Sequence, residues 1–328
     1  MAMLLTAATI AAPACDRDAP PMSTPAQPDT HGIAEHGSVV RIDPSTGEIL
    51  AVVPVGEDPL LMEAASGYVW TLNLGDGSRT RIDPITNLAV TMGDREAVGM
   101  TSDGTDVWLA VDGSRLQRVD GPTGEVRGSF ELSERPLFEL RDAGFLAVAG
   151  GDVWITIPDL DHANAPQELW RLDRASGAVQ ARMRIGPNPF PFLANGRFVW
   201  IIQTASATGW LTRIDARTGG AVEVPTGSLP IGLAVGDGSL WIGDVGDENV
   251  RRIDPRTGET TATIPIDEEP RGIGFAEGTA WISTERGLVS IDADTNRVAR
   301  TIDLIQPVPD EGPTVVTYAG GSIWVSIE

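Results

Sequence analysis

A short motif recurs seven times along this chain of 328 residues, and the repetition restricts the possible folds more than any other feature. Each copy reads as an apolar stretch ending in aspartate, then a turn ending in glycine or asparagine, as in RIDPSTG and RIDPRTG. Self-similarity with a period near 40 residues is typical of repeat architectures such as solenoids and propellers. The seven aspartates are Asp43, Asp83, Asp120, Asp173, Asp215, Asp254 and Asp292.

A second motif, an apolar residue followed by tryptophan, alternates with the first and also occurs seven times. Between these landmarks, short apolar runs bounded by Gly, Asp, Asn and Pro predict four strands in each unit. We therefore predict an all-β fold, a seven-bladed β-propeller of four-stranded blades, with one tryptophan of each blade packed between neighbouring sheets. These residues are Trp70, Trp108, Trp154, Trp200, Trp241, Trp281 and Trp324.

The segment D-P-x-T-G has the chemistry of a tight turn. An aspartate can accept hydrogen bonds from the backbone two residues on, proline presets φ, and glycine or asparagine tolerates positive φ. We interpret the seven aspartates as structural residues and not as a ring of metal ligands.

The two ends of the repeat region each carry half a unit. The region begins with a third strand (38–43) and a fourth strand (48–55), and it ends with a first strand (313–320) and a second strand (322–327). We therefore predict six complete blades and a seventh that the two ends build together. Closing the ring in this way removes the exposed sheet edges that promote aggregation.

Residues 1–14 are apolar and end in Ala12-Pro13-Ala14, directly before Cys15, the single cysteine. The stretch is too short to span a bilayer but suits an export signal, and its end also loosely matches a bacterial lipobox. Three outcomes are open: lipid attachment at Cys15, which we favour, secretion without lipid, or an uncleaved tail. A proline-rich tether (15–36) would then precede the propeller (37–328).

Charge narrows the range of partners. The formal net charge is −22 with a pI near 4.4, so binding to nucleic acid, which needs a basic surface, is not expected. Direct docking on anionic lipid is disfavoured for the same reason, so we expect membrane contact only through an N-terminal lipid. We expect a monomer.

Together, the apolar-Trp-apolar strands, the RIDPxTG turns and the strands that lead into G-x-x-P resemble the YVTN/YncE-like and virginiamycin B lyase-like propellers. The resemblance covers residues 37–328. It implies the propeller fold and an envelope or secreted binding module, with a metal-assisted lyase as the related enzyme activity. That lyase chemistry relies on a central histidine. The predicted propeller (37–328) contains one histidine, His162, and it lies in a predicted peripheral loop.

Variable loops connect the fourth strand of one blade to the first strand of the next, and binding in propellers usually occurs on such a face. We predict that these loops surround the central channel and form the candidate binding face. Its residues are Glu57, Asp58, Asp94, Arg95, Glu96, Glu134, Arg135, Asn188, Phe190, Glu268, Glu269, Arg271, Asp310 and Glu311.

Two interpretations of this acidic face are open: a solvated rim with internal ion pairs, or a site for a cationic or hydroxyl-rich ligand or for Ca²⁺ or Mg²⁺. An insertion that carries Asp159, Asp161 and His162 is a weak metal candidate. No catalytic residue and no cofactor is assigned. We predict an extracytoplasmic, lipid-anchored module that binds a ligand or an envelope protein, and the alternative is a metal-assisted lyase or lactonase that uses the rim carboxylates.

Overall fold

The structure is a computed structural model that describes residues 36–93, 97–133, 137, 145–157, 165–205, 208–304 and 312–328. In this part of the chain, 28 strands form seven four-stranded antiparallel sheets, and a single 3-10 turn follows β20 at Val245–Asp247. No helix within the described ranges has the length and apolar character needed to cross a membrane. The predicted seven-bladed all-β propeller is confirmed.

Six blades are continuous in sequence, and we number them in chain order. Blade 1 contains β3 (Pro59–Ala65), β4 (Tyr68–Asn73), β5 (Ser78–Ile82) and β6 (Ala89–Met92). Blade 2 contains β7 (Ala97–Ser102), β8 (Asp106–Val111), β9 (Arg115–Asp120) and β10 (Val126–Glu131). Blade 3 contains β11 (Leu146–Ala149), β12 (Asp152–Ile157), β13 (Glu168–Asp173) and β14 (Val179–Arg184).

Blades 4 to 6 follow the same order. Blade 4 contains β15 (Pro189–Asn195), β16 (Phe198–Ala205), β17 (Thr208–Asp215) and β18 (Ala221–Ser228). Blade 5 contains β19 (Pro230–Gly236), β20 (Ser239–Asp244), β21 (Asn249–Ile253) and β22 (Thr260–Pro265). Blade 6 contains β23 (Ile273–Ala276), β24 (Thr279–Ser283), β25 (Gly287–Asp292) and β26 (Arg297–Asp303).

The seventh sheet, the closing blade, joins the two ends of the repeat region. It contains β27 (Pro313–Ala319), β28 (Ser322–Ile327), β1 (Ser38–Ile42) and β2 (Ile49–Pro54), in the spatial order β2-β1-β28-β27. β1 pairs antiparallel with β28, so that Arg41 lies opposite Trp324. The first strands of the seven blades contact one another in a closed ring, β3-β7-β11-β15-β19-β23-β27 and back to β3. The predicted closure is confirmed.

The seven repeat tryptophans pack between blades, as predicted. All seven are at most 2% exposed. Trp324 of the closing blade packs with Val69 and Ile82 of blade 1, and Trp281 of blade 6 packs with Ile323 of the closing blade. Each sheet therefore buries a large ring against its neighbour, which is how a propeller obtains a core from sheets that are individually thin.

The arginine of the R-I-D motif has a structural role that the sequence analysis did not assign. In six blades this arginine lies directly across the second and third strands from the repeat tryptophan, as Arg41 does from Trp324 and Arg252 from Trp241. In five of these pairs the guanidinium lies 5.1–5.9 Å from the centre of the indole ring, within the range of cation–π attraction. Blade 6 has Ser290 at this position.

The repeat aspartates fold the turns between third and fourth strands, as the sequence predicts. Asp254 accepts backbone hydrogen bonds from Arg256 (2.7 Å) and Thr257 (3.2 Å), and each of the other copies accepts from at least one of the two equivalent N–H groups. These bonds favour the ionised form, and in Asp215 the additional hydrogen bond from Arg197 lowers the pKa to about 2.

Because the ring closes through β1 and β28, we expect Trp324→Ala to destabilise the whole propeller. The indole is fully buried, and truncation of a buried tryptophan costs about 3–5 kcal/mol, a large part of the stability of a typical domain. The measurement is the free energy of unfolding in urea, with Val298→Ala on the exposed face of β26 as the control. A loss below about 1 kcal/mol, comparable to that of the control, would contradict closure through this sheet.

Candidate functional site

A cavity of about 500 Å³ lies on the propeller axis. Every first strand, or the residue next to it, contributes to the cavity wall. The contributing positions run from the beginning of these strands to their middle, and none of them is the last residue of its strand. This end of the channel is the one that the connections from fourth strands to first strands enter. The cavity therefore lies at the face on which the sequence analysis placed the candidate binding loops.

Local irregularities shape this end of the channel. In five of the seven blades the pairing between first and second strand shifts near the beginning of the first strand, as a β-bulge does. Bulges bend a strand and redirect its side chains, and they often occur beside binding sites. In β19, Gly232 has φ +68°, and a Cβ there would lie 3.0 Å from the Arg271 carbonyl oxygen, so glycine permits the close approach of two blades.

The cavity wall is mainly apolar. In every first strand, one residue lies opposite the repeat tryptophan of the second strand. In six blades the residue just before that position is apolar and lines the cavity: Met100, Leu146, Phe192, Leu233, Ile273 and Val316. Phe145 and Phe190 add two rings whose centres are 4.7 Å apart. Phe190 is 43% exposed, a large apolar surface to leave open. Such a wall favours a hydrocarbon or aromatic ligand.

Glu63 of β3 places a carboxyl group in this apolar wall. It lies opposite Trp70, and at the equivalent positions the other blades carry Thr101, Ala147, Leu193, Ala234, Gly274 and Thr317. Glu63 is half-buried and lines the cavity. Burial raises its pKa to about 8, against the effect of a hydrogen bond with the Thr101 side chain. The carboxyl is therefore largely protonated at neutral pH.

Sequence reasoning missed Glu63, although a signal for it existed. The first strands align through the repeat tryptophans, and in that alignment Glu63 is the one charged residue among the seven residues opposite tryptophan. A charged residue in an otherwise apolar inner strand is costly to bury, so it is a candidate for function.

Arg271 and Glu328 also line the cavity, next to its apolar part. Burial raises the pKa of Glu328, the negative charge of Asp58 raises it further, and the positive charge of Arg271 acts in the opposite direction. Asp58 is thereby electrostatically connected to the site although it does not line it. Arg271 is half-buried, and its backbone N–H donates to the Ser283 carbonyl oxygen at 2.8 Å.

Of the residues that the sequence analysis selected, the structure places Arg271 and Phe190 in the cavity wall. Glu57 and Asp58 are exposed and line a separate depression of about 350 Å³, together with His36 and Asp76. Asn188 is exposed, has φ +45°, and its Nδ2 donates to the Thr204 carbonyl oxygen at 3.2 Å.

Two further predicted residues lie at blade 6. Glu268 accepts a hydrogen bond from Arg286 Nη2 at 3.0 Å, so its carboxylate is held within the blade, while Glu269 is exposed. This bond and the charge of Glu268 raise the pKa of Arg286. Glu268 fits the interpretation of the rim as a set of internal ion pairs.

The remaining predicted residues lie outside the described part of the chain: Cys15, Asp94, Arg95, Glu96, Glu134, Arg135, Asp159, Asp161, His162, Asp310 and Glu311. Within the described ranges, no group of three or more His, Cys, Asp or Glu side chains is arranged to hold a metal ion.

Solved structures similar to this chain share its fold at low sequence identity. Hydrazine synthase from Kuenenia stuttgartiensis matches with a TM-score of 0.62 and 16% identity, over 81% of this chain and 89% of that one. Apo AztD from Citrobacter koseri matches with a TM-score of 0.63 and 11% identity, over 89% of this chain and 96% of that one. A second AztD structure matches with a TM-score of 0.59 and 12% identity, over 83% of this chain and 94% of that one.

No protein-family model matches the chain, and the search of curated proteins found no match. The similarity to solved structures therefore supports the propeller fold, while the more specific YVTN/YncE-like or virginiamycin B lyase-like assignment stays a prediction.

The raised pKa of Glu63 predicts that Glu63→Gln gains stability relative to the wild type as pH rises from 5 to 8. The folded state holds the proton up to about pH 8, whereas the unfolded chain releases it near pH 4.3, so the wild type loses stability across this window. Each pKa unit corresponds to about 1.4 kcal/mol, so we expect a relative gain of a few kcal/mol.

Urea unfolding at pH 5 and pH 8 measures this gain. Glu277→Gln is the matched control, because Glu277 lies in the turn between β23 and β24, at the other end of the channel. If the Glu63→Gln variant differs from the wild type by the same amount at both pH values, the carboxyl is not buried as described.

Proposed function

We propose that this propeller is an extracytoplasmic binding protein that holds a small, largely apolar molecule in its axial cavity. The observation that carries the proposal is the cavity itself: about 500 Å³, walled mainly by aliphatic and aromatic side chains, with a few polar groups. Small-molecule sites in proteins commonly enclose about 300–1,000 Å³ and combine apolar walls with a small number of polar groups that orient the ligand.

The proposal favours a ligand over a protein partner because the apolar surface at this face is concave. Phe190 and Phe192 present their rings to the cavity, where a small molecule can cover them. Exposed apolar surface that lies in a cleft is typical of ligand sites, whereas protein interfaces are larger and flatter.

Export and attachment to a membrane through Cys15 are part of the same proposal. Their support is the apolar stretch 1–14 and the small residues before Cys15. The repeat pattern, which resembles YVTN/YncE-like and virginiamycin B lyase-like propellers, also supports a location in the envelope. A proline-rich tether would hold the propeller away from the membrane surface.

Ligand binding is tested by a screen of small aromatic and aliphatic compounds with ligand-observed NMR. We expect hits whose binding is lost when Ile231→Trp fills the cavity and weakened roughly tenfold or more by Phe190→Ala. The reason is that the burial of a phenylalanine side chain is worth about 1.5–3 kcal/mol. Ile85→Ala is the control, since Ile85 is 85% exposed in the turn after β5, at the opposite face.

Hits that bind the Ile231→Trp variant as well as they bind the wild type would place binding elsewhere on the surface. A screen without hits for the folded wild type would contradict the proposed function.

Lipid attachment is tested by Cys15→Ser expressed in a bacterial host with the complete chain. We expect the wild type to partition into the detergent phase of a Triton X-114 extract and the variant into the aqueous phase, because acyl chains attached at Cys15 would enter the detergent micelles. Equal partition of both proteins would contradict the anchor and would leave the cavity proposal intact.

A further inference from the structure

The cavity that the proposed function uses contains an imbalance of polar groups, and this imbalance indicates which class of ligand it accepts. Three titratable side chains line it: Glu63, Glu328 and Arg271. The positive charge of Arg271 acts on Glu328, so these two compensate each other at the cavity edge. Within the described part of the chain, no cation contributes to the pKa of Glu63, and the apolar wall surrounds this carboxyl.

The Glu63 carboxyl group can accept further hydrogen bonds from a ligand. A carboxyl group offers several acceptor positions, and the interaction described for this one is a single side-chain hydrogen bond with Thr101 of the neighbouring β7. Of the described residues that line the cavity, Leu61 and Met100 have side chains without hydrogen-bond donors. A ligand that brings N–H groups to this point would donate hydrogen bonds to the other acceptor positions of this carboxyl group.

Charge around β3 also favours a cation. The strands packed against β3 carry Tyr68 on β4 and Tyr318 on β27, and Glu328 follows β28, while Arg271 lies next to Glu328. Asp58 adds negative charge near Glu328, and the whole chain carries −22. Such a field concentrates cations at the cavity and repels anions.

We infer that the cavity binds an organic ammonium ion with an apolar body, whose N–H groups bond the Glu63 carboxylate while the apolar body packs against Phe190 and Phe192. This inference rests on the proposed function and deepens it. In the bound pair the ammonium compensates the negative charge of the Glu63 carboxylate, and the aromatic rings cover the hydrocarbon part.

The number of protons released on binding depends on the protonation of Glu63 before the ligand binds. Below about pH 8 the Glu63 carboxyl is mostly protonated, so binding of the charged ammonium displaces its proton to solvent. The products are the carboxylate–ammonium pair and one released proton for each ligand bound. A neutral ligand of the same shape would release none.

The test compares three probes of one shape: phenethylammonium, 2-phenylethanol and 3-phenylpropanoate. Isothermal titration at pH 7 in two buffers with different enthalpies of ionisation measures both affinity and proton release. For the wild type we expect phenethylammonium to bind roughly tenfold or more tightly than the alcohol, with release of about one proton, because hydrogen bonds to charged groups are worth about 1.5–3 kcal/mol.

Glu63→Gln should remove both the preference and the proton release while keeping a similar volume in the cavity wall. Glu277→Gln removes the same charge from the opposite face and should change neither. Circular dichroism and thermal unfolding of both variants verify that the fold is retained. If Glu63→Gln does not fold, Glu63→Thr serves as the second variant, because blade 2 carries threonine at the equivalent position, and it should likewise remove the preference and the proton release.

Equal or tighter binding of the alcohol or the carboxylate would overturn the ligand class and leave cavity binding intact. Failure of all three probes would also overturn it, while hits from the compound screen that Ile231→Trp abolishes would still support the proposed function. Ammonium binding without proton release, or with release that Glu63→Gln does not reduce, would assign the cation to another carboxylate.

Discussion

The pairing of β1 with β28 is the constraint on which the rest of this structure depends. Each blade buries its tryptophan against the next blade, so every blade needs two neighbours, and a linear array would leave two sheets without a partner. The shared sheet removes both ends at once and makes the contacts between β3 and β27 possible. The axial cavity exists only because the seven first strands form a complete ring.

The repeated residues serve this framework and leave the site to other residues. The tryptophans and the arginines opposite them lie across second and third strands, and the aspartates fold the turns at the face away from the cavity. At the other end, the first strands begin with bulges and with side chains that differ from blade to blade. Because the residues that stabilise the fold lie away from this face, the side chains of this face can differ without loss of the fold.

Glu63 illustrates the cost of such a site. The Glu63 carboxyl lies in an apolar wall and is largely protonated at neutral pH, and its burial lowers the stability of the folded state as pH rises. A threonine or alanine at this position, as in neighbouring blades, would avoid that cost. The proposed ammonium ligand would offset this cost by pairing with the Glu63 carboxylate.

The sequence by itself determined the architecture: seven copies of two motifs predict seven blades, the half-units at both ends predict the shared sheet, and turn chemistry identifies the aspartates as structural. These features are local or periodic, so they can be recognised from the sequence alone. The tertiary structure decided which residues meet on the axis. Glu63, Phe145 and Arg271 come from blades far apart in sequence, and only closure of the ring places them around one cavity. The raised pKa of Glu63 likewise arises from burial, which depends on all seven first strands together.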